Sequence, residues 1–463
     1  MNEVSITFLG ATETVTGSRF LITTPKSKIL VDAGLYQGSK ATEALNWEPF
    51  AVDPATIDAV VLTHAHLDHC GYLPLLSKQG FKGGIYCTLY TQKLAAVVLH
   101  DSAFLQTEDA KFAKKRGKSV HKDPKALYDE DDVIRVLEQF KSSPFRTEIG
   151  LTEDIAVTFY PSCHILGSSF VVIVAAGKRF LFTSDMGRPY HPILISADRP
   201  PAGKYDVVVT ESTYGNRVHE SPTSVFVDEI NAGLSRGGSI LIPAFAVDRT
   251  EVILMALNDL IESKQIPRVP IYVDSPMALT SLNYYREAIR DHAPEIRPEL
   301  LSKFEQGDPF DPGSLYEMRT VDESKSLNDL TNSSIIISAS GMAQGGRVVH
   351  HLANMLPDAR NTVILVGYQA TGSRGQALEQ GVKEIRIHGE FVTVRATIAK
   401  VESFSVHADS DELMSWLRSV ELPSQVFVVH GEPDSSAAFA SRLKSDLKWP
   451  AIVPQSEMVY PVI

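Results

Sequence analysis

Three histidines and an aspartate fall within six residues in the stretch Thr63-His64-Ala65-His66-Leu67-Asp68-His69. Imidazole and carboxylate together are ligands that suit zinc, with iron or manganese as alternatives. On an extended or turning backbone alternate side chains point the same way, so His64 and His66 can bind one metal ion. Asp68 and His69 lie beyond the turn and can reach a second. The competing explanation is a polar turn with chance histidines, and the local density of ligands argues against it. The run before it, Ala59-Val60-Val61-Leu62, reads as a buried parallel strand, and Tyr72, Leu73, Leu75 and Leu76 start a helical pattern behind it. The cluster therefore sits where a strand ends and a helix begins, the place where open α/β sheets hold ligands.

This stretch resembles the HxHxDH signature of the metallo-β-lactamase fold. The resemblance implies three further ligands downstream. They match His164 in Pro161-Ser162-Cys163-His164, Asp185 in Thr183-Ser184-Asp185-Met186-Gly187, and His430 in Val429-His430-Gly431-Glu432. Each follows a strand-like run, and the order is that of the family. Asp32, at the end of the run Ile29 to Val31, resembles the family's first motif. It would bond a ligand histidine and fix the turn, although a turn-forming Asp before Gly explains it equally well.

The chain has 463 residues, more than one ordinary domain, with 44% hydrophobic and 22% charged residues. No apolar run approaches the length of a membrane span. Met1-Asn2-Glu3 leads directly into a strand, so no signal peptide is expected and the expected compartment is the cytoplasm. Cys70, Cys87 and Cys163 are too few for a disulfide framework. Cys70 and Cys163 adjoin ligand positions and read as small buried hydrophobes rather than soft ligands. A net charge of −12 argues against a protein that coats nucleic acid non-specifically, while leaving room for a local basic groove. The most basic stretch is Lys111 to Lys118, with Lys122 and Lys125 beyond. It reads as a solvated face or a phosphate contact.

The elements that must position these residues change character along the chain. Short strands dominate to residue 31, helices are expected over 90–107 and 129–140, and strands return at 155–160, 169–175, 179–183 and 206–210. After Gly215 helix and strand alternate, which suggests a second, parallel sheet with helices on its faces. Residues 305–333 are polar and rich in turn formers and read as a loop excursion. Strands return near 383–401, and a last βα passage follows from Ser405. If His430 belongs to the first domain, the second must be inserted within it. The expected boundaries are 1–212 with 396–463 for the first domain and 213–395 for the second.

Three more motifs sharpen the resemblance. Glu211 after a buried strand, His407 in Ser405-Val406-His407-Ala408-Asp409, and His430 resemble motifs A, B and C of the β-CASP branch. Ile242-Pro243-Ala244-Phe245-Ala246-Val247, Val273-Asp274-Ser275-Pro276-Met277-Ala278 and Ser340-Gly341-Met342 are similar to strings of the inserted domain. The chain thus resembles a compact, prokaryotic-type β-CASP hydrolase of the ribonuclease J and polyadenylation-endonuclease kind, without a KH extension. The fold implied is α/β: an αββα metallo-β-lactamase sandwich with an inserted parallel α/β domain. One departure is Asp248-Arg249 where the family often has Gly-Arg, which adds a negative charge near the expected RNA path.

The resemblance implies a zinc-dependent ribonuclease acting on single-stranded RNA, endonucleolytic and in some members also 5′-to-3′ exonucleolytic. Two Zn²⁺ ions, with Mn²⁺ as an alternative, would activate water and clamp phosphate oxygens. His64, His66 and His164 would take one ion, Asp68, His69 and His430 the other, and Asp185 would bridge. His407 would protonate the leaving sugar oxygen and Glu211 would orient it. Ser340, Gly341, Met342, Arg249 and Ser405 would contact the substrate. A cleft between the domains would favour single strands, and the resemblance allows a homodimer. His350-His351 reads as a packing or surface pair outside this chemistry. The alternatives are a DNA nuclease of the same branch, a small-molecule metallo-hydrolase and a non-catalytic RNA-processing scaffold. The large insertion and the Glu211–His407 pair weigh against the small-molecule enzyme, and the intact ligand set against the scaffold.

Overall fold

The structure is a computed structural model and describes residues 3–116, 125–219, 224–367, 369 and 372–463. Its contacts divide the chain into two compact units, Met1–Val218 with Val406–Ile463, and His219–Ser405.

The first unit holds two seven-stranded sheets. In the first sheet Val459–Pro461 lies at one edge, followed in order by Ser5–Phe8, Phe20–Thr23, Lys28–Val31, Ala59–Val61, Gly84–Cys87 and Phe140–Ser142. The second sheet runs Ala451–Ile452, Gln425–Val428, Val207–Thr210, Lys178–Phe182, Ser169–Ala175, Ile155–Pro161 and Glu148–Gly150. Alternation decides which side chains face inward. Ile6, Phe8, Ile22, Ile29 and Val61 from the first sheet meet Val157, Phe159, Ile173, Phe180, Phe182, Val209 and Phe427 from the second in one core. The outer residues of the second sheet, Val172, Leu181, Val208, Val426 and Val428, pack on Leu413, Met414, Leu417, Phe439 and Leu443. These come from the helices Ser410–Leu417 and Pro433–Leu447. The helix Leu89–Arg116 lies against the strand Phe140–Ser142 and the helix Glu130–Leu137, outside the first sheet. The layers are αββα.

The second unit carries a six-stranded sheet in the order Leu315–Glu317, Ile271–Val273, Ile335–Ser338, Ile240–Pro243, Thr362–Leu365 and Thr397–Lys400. Every pairing in it is parallel. Ile335-Ile336-Ile337 and Ile240-Leu241-Ile242 are buried at every position, as strands covered on both faces must be. Helices Arg347–Met355 and Arg374–Glu379 and a hairpin of Glu384–Ile387 with Glu390–Thr393 close one face around Val348, Leu352, Leu365 and Leu378.

Several expectations from sequence need correction. Residues 305–333 are not one loop. They include the edge strand Leu315–Glu317 and the helix Val321–Ser326. That helix has no buried residue and starts with a capping box between Thr320 and Glu323, so it carries no apolar stripe to read. The helix expected over 90–107 continues to Arg116 through a polar stretch. The helix expected to reach Phe140 stops at Leu137, and Phe140 opens a strand. The basic stretch falls partly on residues 117–124, outside the described residues; Lys111 pairs with Glu108 at 2.8 Å. Asp248 does not present its charge outward. It is buried, accepts the Tyr285 hydroxyl at 2.6 Å, and has φ of 69°, the left-handed region that Gly adopts most easily and Asp tolerates.

Asp274 ties three elements of the second unit together. Its buried carboxylate follows the strand Ile271–Val273 and accepts His351 Nε2 at 2.6 Å, Ser324 Oγ at 2.6 Å and Arg347 Nη1 at 2.7 Å. His351 thus packs inward, while His350 stacks on His388 with ring centres 4.4 Å apart. Burial pushes the Asp274 carboxyl up, but hydrogen bonds from His351, Ser324 and Arg347 outweigh it and hold the group below the usual carboxylate range. Its folded pKa is therefore below the unfolded value of about 3.9. The stabilisation is complete above that value and is lost as pH falls through the folded one. Asp274→Asn is expected to lower stability by about 3 kcal/mol at pH 7. The difference from wild type should shrink below about pH 4, as read by urea unfolding at the two pH values.

Candidate metal centre

Strand ends of the first unit bring the chemistry together. Ala59–Val61 leads into His64, His66, Asp68 and His69, and Ile155–Pro161 into His164. Lys178–Phe182 leads into Asp185, Val207–Thr210 into Glu211, and Gln425–Val428 into His430. The backbone must bend sharply at these ends. Asp32, Cys163, Ser184 and His430 have φ of 57°, 63°, 49° and 50°. Such conformations cost about 1–3 kcal/mol each and persist where the surroundings fix them.

The neighbouring loops supply that fixation. Ser18 N donates to Asp68 O at 2.9 Å, Ala33 N to His69 O at 2.7 Å and Leu35 N to Leu67 O at 3.0 Å. Arg19 braces this layer with Nε on Gly34 O at 2.8 Å and its guanidinium 4.0 Å from the centre of the Tyr72 ring. Burial pushes its pKa down to about 10. Two glycines are required by close approach. A Cβ on Gly34 would lie 1.5 Å from Asp68 O, and one on Gly187 would lie 1.6 Å from Cys163 O.

Seven side chains converge as two donor sets. In the first, His66 Nδ1 lies 3.2 Å from His64 Nε2 and 3.1 Å from His164 Nε2. Asp185 Oδ2 is 3.6 Å from each of those two Nε2 atoms. In the second, His430 Nε2 lies 3.3 Å from both His69 Nε2 and Asp68 Oδ2. His69 Nε2 is 3.4 Å from Asp185 Oδ1. A tetrahedral ion with bonds of about 2.0–2.1 Å has ligand-to-ligand edges of roughly 3.4 Å. Both sets match that spacing, and Asp185 offers one oxygen to each.

The charge states agree with a cation at the centre. Burial pushes His64 and His164 well below the usual imidazole range and His66 down to about 4, so all three carry open lone pairs at neutral pH. On the other side burial alone would also lower His69 and His430. The Asp185 carboxylate, with Asp32 at His69 and Asp68 at His430, reverses this and raises them. Burial opposes ionisation of Asp185, yet His430 and His69 hold it well below the carboxylate range. Asp68 is lowered in the same way, against its own burial, by a hydrogen bond from His430. The carboxylates thus favour positive charge here whatever carries it, and a divalent metal fits the donor set.

Polar side chains behind the donors orient them. Asp32 Oδ2 accepts His69 Nδ1 at 2.8 Å, and the same carboxylate accepts Thr63 N and Thr63 Oγ1 at 2.8 and 2.9 Å. Thr63 Oγ1 lies 3.2 Å from His64 Nδ1, and Thr213 Oγ1 3.2 Å from His430 Nδ1. Ser184 Oγ bonds Thr63 Oγ1 at 2.6 Å, and Ser18 Oγ lies 3.4 Å from His69 Nε2. The sequence reading missed these four hydroxyls. The available signal was a Ser or Thr directly flanking the strand-end chemistry at Thr63, Ser184 and Thr213. The three cysteines are buried, free thiols and belong to neither donor set.

His407 stands beside the first set, its ring centre 4.4 Å from that of His164. Its Nδ1 lies 3.4 Å from Glu211 Oε2 and 3.9 Å from Asp185 Oδ2. Glu211 is buried, and its other oxygen accepts Met186 N. Two residues after His407, Asp409 caps the helix Ser410–Leu417 in a reciprocal box with Glu412, which fixes the approach.

The five residues expected to touch substrate have a different setting. All lie in the second unit. Ser340, Gly341 and Met342 form the turn after Ile335–Ser338, with Ser340 Oγ accepting Gln344 N at 3.2 Å. Arg249 is buried, with its guanidinium on the carbonyl of Val366, which braces the turn there. Ser405 is buried as well.

A two-sheet αββα sandwich with a His/Asp centre at its strand ends defines a metallo-β-lactamase-fold protein, and residues 14–217 match the metallo-beta-lactamase superfamily. Residues 250–378 match the Beta-Casp domain, and 392–454 the Zn-dependent metallo-hydrolase RNA specificity domain. The chain is 35% identical over 438 residues to Ribonuclease TTHA0252 of Thermus thermophilus, covering 94% of each chain. It is 32% identical over 464 residues to an RNase J-like protein of Methanocaldococcus jannaschii, covering 99% of this chain and 100% of the relative. The chain belongs to the β-CASP family of metal-dependent hydrolases. A crystal structure of a protein of unknown function from Enterococcus faecalis shares the fold at a TM-score of 0.54 and 14% identity, covering 99% of this chain and 100% of that one.

Gly34→Ala and Gly187→Ala should each displace a ligand-bearing backbone, and Thr63→Val should loosen His64. Metal content by plasma mass spectrometry and chelator competition are expected to show roughly 10- to 100-fold weaker metal retention in each.

Proposed function

We propose that this chain is a two-zinc ribonuclease that hydrolyses phosphodiester bonds of single-stranded RNA, as an endonuclease with 5′-to-3′ exonucleolysis as a second mode. The observation that carries this reading is the Glu211–His407 pair set against two complete donor sets. Hydrolysis of an activated lactam or thioester does not require a dedicated acid beside the metals, whereas an alkoxide leaving from phosphorus does. The names of the relatives, a ribonuclease and an RNase J-like protein, point the same way.

In this reading His64, His66 and His164 would hold one ion and Asp68, His69 and His430 the other, with Asp185 shared between the two sets. When bound, the ions supply a nucleophile at neutral pH and neutralise charge on the phosphoryl oxygens. The chain supplies the rest. Asp32 and Thr63 keep the rings of His69 and His64 from rotating. Asp68, besides its ligand role, adds negative charge that limits the net positive charge of the centre. His407 turns Nδ1 to Glu211, so Nε2 is the atom that delivers a proton to the leaving sugar oxygen. Glu211 is locked by Met186 N and fixes the ring. Ser340, Gly341, Met342 and Ser405 would hold the strand. No helix among the described residues is long and apolar enough to cross a membrane. We infer action on cytoplasmic RNA, and the reading accommodates a homodimer.

The test is cleavage of a 5′-labelled single-stranded RNA with zinc or manganese, beside matched DNA. Wild type should cleave the RNA, and His407→Ala should lose about 10²- to 10⁴-fold in turnover while keeping its metal. Equal cleavage by His407→Ala would remove the proposed acid. Cleavage of the DNA alone would move the chain to the DNA-acting reading.

A further inference from the structure

Asp185 does not end the functional segment. The chain continues as Met186-Gly187-Arg188-Pro189-Tyr190-His191, and this loop is tethered at nearly every residue. Met186 O accepts Ala408 N at 2.7 Å, and Gly187 pairs with His407 as a bridge. Arg188 O accepts Cys163 Sγ at 3.2 Å, and the Arg188 guanidinium meets Glu412 at 3.3 Å. Pro189 O accepts Ser196 Oγ at 2.8 Å. His191 is buried, and its Nδ1 accepts both Ile193 N and Leu194 N at 3.1 Å.

Between these anchors stands Tyr190. It is 84% exposed, the most exposed large apolar side chain among the described residues. No hydrogen bond or ring contact to Tyr190 occurs among those residues. A rigid loop that lifts one aromatic ring into water gains nothing for folding from that ring. The backbone of this residue is tied to the site. Tyr190 follows Asp185 by five residues, and Arg188 O accepts the thiol of Cys163, the neighbour of His164, so the Tyr190 Cα stands within about 7 Å of chain from that anchor.

We propose that Tyr190 is a stacking platform for a nucleobase of the bound strand beside the scissile phosphate. This rests on the reading of the chain as a hydrolase of single-stranded RNA. Stacking suits this protein physically. Its formal charge of −12 offers little general attraction for a phosphate backbone. An aromatic face holds any base without charge, and the preformed loop means that little freedom is lost on binding.

The experiment uses the full-length, metal-loaded protein and a short single-stranded RNA carrying 2-aminopurine near the cleavage site. Tyr190→Ala and Tyr190→Phe are compared with wild type for KM, kcat and quenching of the 2-aminopurine emission. A second strand is abasic around the cleavage site. Tyr190→Ala should raise KM by about 5- to 100-fold with a smaller change in kcat, and should lose the quenching. Tyr190→Phe should retain both. On the abasic strand the penalty should vanish. A wild-type KM in Tyr190→Ala, or the same penalty on intact and abasic strands, overturns the proposal. Quenching that depends on Tyr190 without any RNA cleavage would uphold the platform and overturn the ribonuclease reading. Neither binding nor cleavage by wild type overturns both.

Discussion

A carboxylate with no access to water must be surrounded by positive charge, and Asp185 is such a group. It follows the strand Lys178–Phe182, is buried, and lies within 3.6 Å of nitrogen atoms on His64, His164 and His69. The groups that hold it ionised are the imidazoles of His430, His69 and His64, so the neutralising charge comes from imidazolium protons or from metal. The arrangement of the whole first unit follows from this requirement. Histidines from three separate strand ends have to arrive on one carboxylate, and a sandwich whose two sheets terminate at the same edge can deliver them. One bridging group also couples the two donor sets, since moving Asp185 changes the field at both.

Such convergence conflicts with comfortable backbone geometry, and the molecule shows where the conflict is absorbed. Left-handed residues occur at Asp32, Cys163, Ser184 and His430, all at strand ends facing the centre. The hydrogen bonds from Ser18, Ala33 and Leu35 to the segment Leu67–His69 hold the short helix that carries Asp68 and His69. Gly34 and Gly187 allow backbones to touch where any side chain would intrude. The large apolar core between the sheets provides the stability against which this local strain is held.

The converging donor groups were legible in the sequence because metal-binding residue types at such spacing are far more restricted than packing residues are. His64, His66, Asp68 and His69 are local, and the others stand after apolar runs that any reader would assign to strands. The buried parallel strands of the second unit were legible for a related reason, since Ile335-Ile336-Ile337 has only one use in a soluble domain. What escaped was decided by tertiary partners. Thr63 and Thr213 look like ordinary strand-end residues until His64 and His430 are placed beside them. Arg249 could have pointed in or out, and a carbonyl at Val366, more than a hundred residues away, draws it inward. The strand Leu315–Glu317 exists because Ile271–Val273 offers a ladder on its outer side, which no property of its own three residues announces.

The second unit answers a different physical problem. Its sheet is entirely parallel, so its strands demand helices on both faces and leave all carboxyl-terminal ends at one edge. The turn Ser340-Gly341-Met342 stands at such an end, after Ile335–Ser338, and Asp274 stands at the next, after Ile271–Val273. The two positions have diverged in use. Asp274 is consumed internally by Ser324, Arg347 and His351 and stabilises the sheet edge. The turn at Ser340 is only partly buried, and its Gly341 packs against the Phe245 ring. The same edge of one sheet thus carries a structural lock after one strand and, after the next, a turn closed on itself by Ala343 N and Gln344 N donating to Ser340.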